Sequence, residues 1–250
     1  MNVEATIECP ETVERTAHTP FAAVIGCATP YYQDKYVSLY HADSRDMMQK
    51  LRNDFVLVTD PPYGVGMGVN KDMRSGKNGL AKRAYHGSYG DIYEEWMESV
   101  LPVIWESVKL AKRAAVFTGP HLQDQPKASA IGGIYCPAGA GRHTWGLKTF
   151  LPVLLYGTAP NLNNGCKPNV LESSEQADDN GHPCPKPLGW MTWLVNLASE
   201  QSDIILDPFA GSGTTLRAAK DLGRIAIGIE VEERYCEIAA NQLSQEVLNL

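Results

Sequence analysis

"IILDPFAGSGTTLRAAKDLGRIAIGIE", residues 204–230, is the stretch that predicts the fold most directly. Apolar residues run as a strand to Asp207, and a loop with two glycines follows. A helical pattern then leads to a second apolar strand, which ends at Glu230. A strand, a loop, a helix and a strand in this order predict two parallel strands of an α/β sheet.

The glycine loop of this unit is typical of a nucleotide site. Gly211 and Gly213 let the backbone approach a ligand, and a carboxylate at the tip of the second strand can hold ribose hydroxyls. The loop is a poor dinucleotide fingerprint, because Leu216 stands where the third glycine of G-x-G-x-x-G belongs. The plainer alternatives are a tight strand-to-helix turn and, for Glu230, a solvated carboxylate at a strand end.

A second motif, "FVLVTDPPYG" (residues 55–64), ends another strand on an acid. The continuous apolar run is typical of a parallel strand that is covered on both faces. Asp60 is followed by two prolines, which fix the backbone φ angle, and then by Tyr63. A simple turn after a strand, with Tyr63 as a half-buried aromatic at its rim, is the structural alternative.

Strands and helices alternate over the rest of the chain. Strands are predicted at 36–40 and 114–119, and helices at 44–51, 91–113 (with a kink at Pro102), 188–200, 213–223 and from 232 onwards. This alternation predicts a doubly wound, mostly parallel α/β sheet.

The predicted domain organisation has four parts. They are an N-terminal arm of uncertain order (1–35), a half that carries the DPPY motif (36–118), an irregular insert around one β-like stretch (119–181) and a half that carries the glycine loop (182–250).

Composition restricts the class of protein. The chain has 250 residues and a net charge of −7, and no apolar run approaches the length of a membrane span. Its N-terminus has acids where a secretory signal has a basic region, so a cytoplasmic location is expected. The six cysteines form no C-x-x-C pair, so reduced thiols and no metal site are expected.

Three motifs in a fixed order carry a resemblance to a known family. "DPFAGSGTT" resembles the S-adenosylmethionine loop of the amino-directed DNA methyltransferases, "DPPY" resembles their catalytic loop, and "HPCPKP" (182–187) resembles a His-Pro-x-x-Lys-Pro element. The order, with the catalytic loop first, is similar to that of the β class. The resemblance implies a Rossmann-like methyltransferase sheet with circularly permuted motifs and a small inserted recognition region.

The resemblance also implies the reaction. An S-adenosylmethionine-dependent transfer to the N6 amino group of adenine in double-stranded DNA is expected, because an aspartate at the first motif position usually accompanies adenine. Serine usually accompanies the N4 amino group of cytosine, which is the alternative. A restriction-modification setting and a homodimer are compatible with the resemblance, and any restriction partner is expected on a separate chain.

The roles of individual residues follow from the same resemblance. The implied catalytic residues are Asp60, Pro61, Pro62 and Tyr63. The implied cofactor-binding residues are Asp43, Lys186, Asp207, Phe209, Gly211, Gly213, Thr214, Thr215 and Glu230. Structural alternatives are a helix N-cap for Asp43, a surface lysine for Lys186 and a core side chain for Phe209. Cys184, Pro185 and Gly64 depart from the usual family pattern.

The catalytic loop has a physical rationale. The amino nitrogen of a base is a poor nucleophile, because its lone pair is delocalised into the ring. The Asp60 carboxylate and the Pro61 carbonyl can accept hydrogen bonds from its two N–H groups and so free the lone pair. The prolines fix the positions of these acceptors before the base arrives. Tyr63 offers a face on which an extruded base can stack.

Positive charge indicates where DNA would bind. The glycine-rich stretch 64–90 has five basic residues against one acid, so a loop that grips phosphates is predicted there. Its basic residues are Lys71, Arg74, Lys77, Lys82 and Arg83. Within 119–181, Arg142 and His143 are the best candidates for guanine readout.

Two other classes of function stay open at this stage. One is transfer to an amino group of RNA or of a protein side chain. The other is a DNA-binding relative that has lost catalysis, although the intact catalytic and cofactor loops disfavour it.

Overall fold

The computed structural model describes residues 29–51, 53–65, 92–160 and 166–245, without the side chain of His143. Its strands are β1 (Tyr32–Gln33), β2 (Val37–His41), β3 (Val56–Thr59), β4 (Arg113–Phe117), β5 (Ala130–Tyr135), β6 (Arg142–His143), β7 (Gly146–Leu147), β8 (Phe150–Gly157), β9 (Val170–Glu172), β10 (Ile204–Asp207) and β11 (Ile225–Glu230). Its helices are α1 (Ser44–Met48), α2 (Tyr93–Glu95), α3 (Leu101–Leu110), α4 (Leu188–Ala198), α5 (Thr214–Asp221) and α6 (Glu233–Leu243).

One nine-stranded sheet organises the chain, in the order β1-β2-β11-β10-β3-β4-β8-β5-β9. The five strands from β2 to β4 in this order are parallel to one another. The edge strand β1 is antiparallel to β2, and β8 is antiparallel to both of its neighbours. The predicted doubly wound, mostly parallel sheet is confirmed.

Helices cover both faces of this sheet, which explains why its central strands lack polar alternation. Every residue of β3 is fully buried. One hydrophobic cluster joins the sheet to side chains of α4, α5 and α6, and includes Met191 and Leu216. The cluster on the other face includes Met47 of α1 and Ile104 of α3.

The predicted helix at 91–113 is interrupted by a wider turn. A π-helical segment, Trp96–Val100, separates α2 from α3 and ends just before Pro102. Proline has no N–H to donate, and its ring collides with the carbonyl four residues earlier. The expected distortion at Pro102 therefore takes the form of a π turn on its N-terminal side.

The range 119–181, which was predicted to be an insert, contributes three strands to the main sheet. The predicted β-like stretch is β8, and β5 and β9 extend the sheet beyond it. The two glycines of β5 obscured this strand in the sequence. A Cβ at Gly133 would lie 2.3 Å from the Leu151 carbonyl oxygen, so the close approach of β8 excludes a side chain there. The part of this range that forms a small sheet of its own is the β6–β7 hairpin.

The predicted N-terminal arm has a defined end. Residues 29–35 include β1, which pairs with β2 through Tyr32 and Leu39, whereas residues 1–28 lie outside the described ranges. Among the helices that the structure describes, none has the length and apolarity needed to cross a membrane.

Candidate active site

The two motif loops leave neighbouring strands of the sheet. β3 and β10 are parallel partners, with Val56 opposite Ile205 and Leu57 opposite Leu206. The chain continues from β10 to β11 on one side and from β3 to β4 on the other, so this position is a topological switch point. Open α/β sheets bind ligands at such a point, beyond the carboxyl ends of the strands.

A buried hydrogen bond joins the two strand ends. The Thr59 hydroxyl donates to Oδ1 of Asp207 over 2.6 Å, and Asp207 is only 1% exposed. Burial raises the pKa of Asp207 to about 6, although hydrogen bonds from Thr215 and Thr59 favour the ionised form. The Phe209 amide also donates to Asp207 over 3.0 Å, so this carboxylate organises the start of the glycine loop.

Asp60, the expected catalytic aspartate, has two partners in the folded chain. The Lys186 ammonium and the Tyr63 hydroxyl donate to different oxygens of the Asp60 carboxylate. The Lys186 side chain is 9% exposed, so the surface alternative for this lysine is wrong. Burial by itself would lower the pKa of Lys186, but the charge of Asp60 raises it well above its ordinary value.

Trp96 contacts the catalytic loop, and this contact was not predicted from the sequence. Its indole Nε1 donates to the Pro62 carbonyl over 2.8 Å. Gly64 has a φ of 65° and lies against the same ring, where a Cβ would come within 2.8 Å of Trp96 Cβ. The departure from the family pattern at Gly64 therefore coincides with a left-handed backbone and a tight contact.

Glu230 closes the glycine loop from the neighbouring strand. The Gly211 and Glu232 amides donate to its two carboxylate oxygens, each over 2.8 Å. Burial raises the pKa of Glu230 from its ordinary value of 4.5 to about 7, even though these amides favour the ionised form. The solvated alternative for Glu230 is wrong, since this residue is only 8% exposed.

Asp43 acts as the N-cap of α1, as one of its two sequence interpretations stated. Its carboxylate accepts a 2.9 Å hydrogen bond from the Arg45 amide and also pairs with the Arg45 guanidinium. The next residue, Ser44, donates to the Pro208 carbonyl and so ties α1 to the glycine loop. An adenine contact by Asp43 stays a prediction.

These residues surround one open cleft of ≈ 1210 Å³, a volume that includes its solvent-filled mouth. The expected site residues that line it are Asp43, Asp60, Pro61, Pro62, Tyr63, Lys186, Asp207, Phe209, Gly211, Thr214, Thr215 and Glu230. Gly213 is not part of this lining. Phe209 is partly buried and packs against the core, and its contact with a cofactor stays a prediction.

The other parts of the cleft come from two different segments. The HPCPKP element lines one wall, where the His182 ring lies 4.5 Å from the Tyr235 ring. The expected phosphate-gripping residues Lys71, Arg74, Lys77, Lys82 and Arg83 lie outside the described ranges. Arg142 is exposed in the β6–β7 hairpin, and its role in readout stays a prediction. In the described part of the chain, no group of three or more His, Cys, Asp and Glu residues could hold a metal ion.

The composition of the cleft fits a nucleoside-bearing cofactor. Glu230, which could accept ribose hydroxyls, lies beside the apolar Phe209 and Val231. The glycine loop contributes backbone to the lining at Gly211, where a side chain would approach His182. Nothing in this lining conflicts with the S-adenosylmethionine that the resemblance implies.

Known proteins match parts of this chain in sequence. A family model described as DNA methylase matches residues 123–241. The type II methyltransferase M.HindIII from Haemophilus influenzae is 45% identical over 82 residues, which are 32% of this chain. M.ScaI from Streptomyces caespitosus is 34% identical over 91 residues, which are 36% of this chain. Parts of the chain are therefore similar in sequence to DNA methyltransferases.

The extent of the likeness to these methyltransferases differs between sequence and structure. The matched stretches span only 26% of M.HindIII and 28% of M.ScaI. The solved M1.HpyAVI–SAM complex has a TM-score of 0.59 at 20% identity and covers 84% of this chain and all of its own. PvuII DNA methyltransferase (cytosine-N4-specific) has a TM-score of 0.60 at 16% identity, with coverage of 88% and 90%. Both solved structures share the fold.

Proposed function

We propose that this chain is an S-adenosylmethionine-dependent DNA methyltransferase that modifies the N6 amino group of adenine in duplex DNA. The observation that carries the proposal is the hydrogen bond between Thr59 and Asp207. This bond holds the loop with the amino-group acceptors beside the loop with the nucleotide-type carboxylates. A target amine and a methyl donor can therefore meet in one cleft.

The cofactor, when bound, supplies an electrophilic methyl group on a sulfonium sulfur. In this proposal Glu230 accepts its ribose hydroxyls, Phe209 packs against it and Asp43 contacts its adenine. Thr214 and Thr215 begin the helix that follows the glycine loop, and both line the same cleft. These residues bind and orient the cofactor but do not take part in bond breaking.

Asp60 and the Pro61 carbonyl prepare the attacking nitrogen. The two acceptors take hydrogen bonds from the two N–H groups of the target amino group, which frees its lone pair for the methyl group that the cofactor would supply. The attacking nitrogen would be cationic after transfer and would lose a proton to Asp60 or to water. This arrangement is electrostatic preorganisation, because the acceptors are fixed before the base arrives.

The contacts that Asp60 already makes leave room for this role. A carboxylate offers about four lone-pair positions, of which Lys186 and Tyr63 use one each. The Lys186 cation pairs with Asp60 and orients it without filling its acceptor capacity. Tyr63 has a second role, since its ring offers a stacking surface for an extruded base.

Transfer of labelled methyl from S-adenosylmethionine to unmethylated genomic DNA tests the proposal. The DNA is digested to nucleosides, which are resolved by mass. We expect label in N6-methyladenine with the wild type and none with Asp60→Ala. Asp54→Ala is the matched control, because Asp54 is an exposed aspartate that pairs with Lys112 near the other end of the same strand.

The other outcomes separate the alternatives. Label in N4-methylcytosine would retain the chemistry of the site and contradict the choice of base. Cofactor binding without transfer to DNA, followed by transfer to RNA or protein, would overturn DNA as the substrate. Cofactor binding without transfer to any acceptor would identify a relative that has lost catalysis.

A further inference from the structure

The β6–β7 hairpin begins beside the cleft. Its two strands pair Arg142 with Leu147, and a two-residue turn, Thr144–Trp145, connects them. At its base, the Lys148 amide donates to the Gly141 carbonyl over 2.8 Å. The hairpin is therefore a defined element of the fold at the point where the chain enters β8.

The position of Lys148 shows that the base of the hairpin lies beside the active site. Its ammonium lies 6.0 Å from the centroid of the Tyr63 ring. Burial, followed by the neighbouring Lys186 charge, lowers the pKa of Lys148. Trp145 lies three residues earlier in the chain, a separation that spans at most about 10 Å. The hairpin therefore extends from a base that lies next to the catalytic loop.

The tip carries the most exposed large apolar side chain of the described residues. Trp145 is 94% exposed, compared with 50% for Trp105 of α3. An indole in this position presents most of its surface to solvent, at an apolar cost that a binding partner would relieve. Aromatic faces of this kind stack on bases of any sequence.

The charge around the hairpin selects the class of partner. Residues 140–148, which form the hairpin and its base, contain Arg142 and Lys148 and no Asp or Glu, in a chain of net charge −7. The five acids of the range 119–181 all lie outside this central part. A cationic, aromatic surface beside the target cleft is complementary to a polyanion with exposed base faces.

We infer that the β6–β7 hairpin is a DNA wedge, with Trp145 inserted into the base stack next to the flipped target nucleotide and Arg142 placed on the flanking backbone. The inference rests on the proposed function and adds to it the element that replaces the lost stacking. Inserted side chains partly unstack neighbouring base steps. Trp145 thereby offsets part of the few kcal/mol that extrusion of the target base costs.

Quenching of tryptophan fluorescence by acrylamide tests the contact directly, without any need for turnover. The Trp105→Phe variant leaves Trp145 as the largely exposed tryptophan of the described residues. Addition of unmethylated genomic fragments should protect it and remove most of the acrylamide-sensitive signal. The double variant Trp105→Phe/Trp145→Phe should lack this signal before and after DNA is added.

Binding and kinetics supply the second measurement. Trp145→Ala should weaken DNA binding about 5- to 100-fold, the range expected for loss of one base–aromatic stack. Trp145→Phe should retain much of the affinity, and Trp105→Ala, the matched exposed tryptophan, should retain all of it. Cofactor affinity should be the same in all of these variants, because Trp145 is not part of the lining of the cleft.

The outcomes distinguish the wedge from the proposed function. Methyl transfer to DNA that is equal in the wild type and Trp145→Ala would overturn the wedge alone. No transfer to DNA by the wild type would overturn the proposed function, whatever the quenching shows. Protection of Trp145 that rises with protein concentration in the absence of DNA would assign the hairpin to a contact between protein chains and overturn the inference.

Discussion

The Thr59 hydroxyl donates a 2.6 Å hydrogen bond to Asp207, a residue 148 positions away in the sequence. Thr59 is the last residue of β3, and Asp207 is the last residue of β10. The bond therefore joins the ends of two neighbouring strands, at the point where the two loops that line the cleft begin.

Replacement of Thr59 by valine should destabilise the fold by about 1–3 kcal/mol, because it leaves the buried Asp207 short of a donor. Urea denaturation measures this loss. Thr118→Val is the matched control, since Thr118 is also buried but its hydroxyl makes only a 3.4 Å hydrogen bond. Equal losses of unfolding free energy for the two substitutions would show that the Thr59–Asp207 bond stabilises the fold no more than the weak bond of Thr118 does.

Lys186→Met should lower kcat about 10- to 1,000-fold, in the range seen for loss of one preorganised electrostatic contact. The physical reason is that Asp60 loses the cation that orients its carboxylate. Single-turnover methyl transfer measures the loss. Lys109→Met is the control, because Lys109 is 75% exposed on its side chain and only weakly paired. A much weaker binding of S-adenosylmethionine with an unchanged kcat would instead place Lys186 on the carboxylate of the cofactor.

Glu230 should make the stability of the protein depend on pH. Its pKa of about 7 in the folded chain exceeds its ordinary value of 4.5. Between these pH values the folded protein holds more protons than the unfolded chain, so the free energy of unfolding falls as pH rises. The contribution of Glu230 should decrease by up to about 3 kcal/mol from pH 4.5 to pH 7.

Denaturation of the wild type and Glu230→Gln at a series of pH values measures this dependence. The amide does not titrate, so the stability of the variant relative to the wild type should increase across the same window. A constant difference between the two proteins would contradict the raised pKa.

Gly64→Ala should destabilise the protein by about 1–3 kcal/mol and reduce activity. The backbone there has a φ of 65°, and a Cβ would collide with Trp96, which holds the Pro62 carbonyl. Thermal unfolding and methyl transfer measure the two effects. Gly141→Ala is the control for backbone strain alone, because Gly141 also has a positive φ but nothing lies within 4 Å of its added Cβ. A similar loss at both positions would show that the contact with Trp96 is unimportant.

The central sheet could be predicted because its strands have a simple pattern. β10 is an apolar run that ends in Asp207, and β3 is an apolar run that Asp60 follows directly. The second apolar strand of the 204–230 unit was predicted to end at Glu230, as β11 does. Gly223 follows α5 with a φ of 69°, as expected for a helix C-cap. The strand β5 was missed, because two glycines at its centre have the composition of a loop and their role depends on strands that are distant in the sequence.

The contents of the cleft were also predictable, but the contacts within it were not. The motifs identified Asp60, Asp207 and Glu230 as residues of one site. Nothing in the sequence indicated that Lys186 would pair with Asp60, or that Trp96 would support the loop, because these partners come from segments without a shared motif. Hydrogen bonds between distant side chains depend on the packing of the whole sheet.

The adjacency of β3 and β10 also has a consequence for synthesis of the chain. The catalytic tetrapeptide leaves the ribosome well before the strand that will stand beside it, and 148 residues separate Thr59 from Asp207. At 5–20 residues per second this interval is roughly 7–30 s. A nascent chain in this interval has only one of the two loops of the cleft, and any product truncated before β10 lacks the glycine loop. The proposed methyl transfer therefore depends on a strand that is made late in translation.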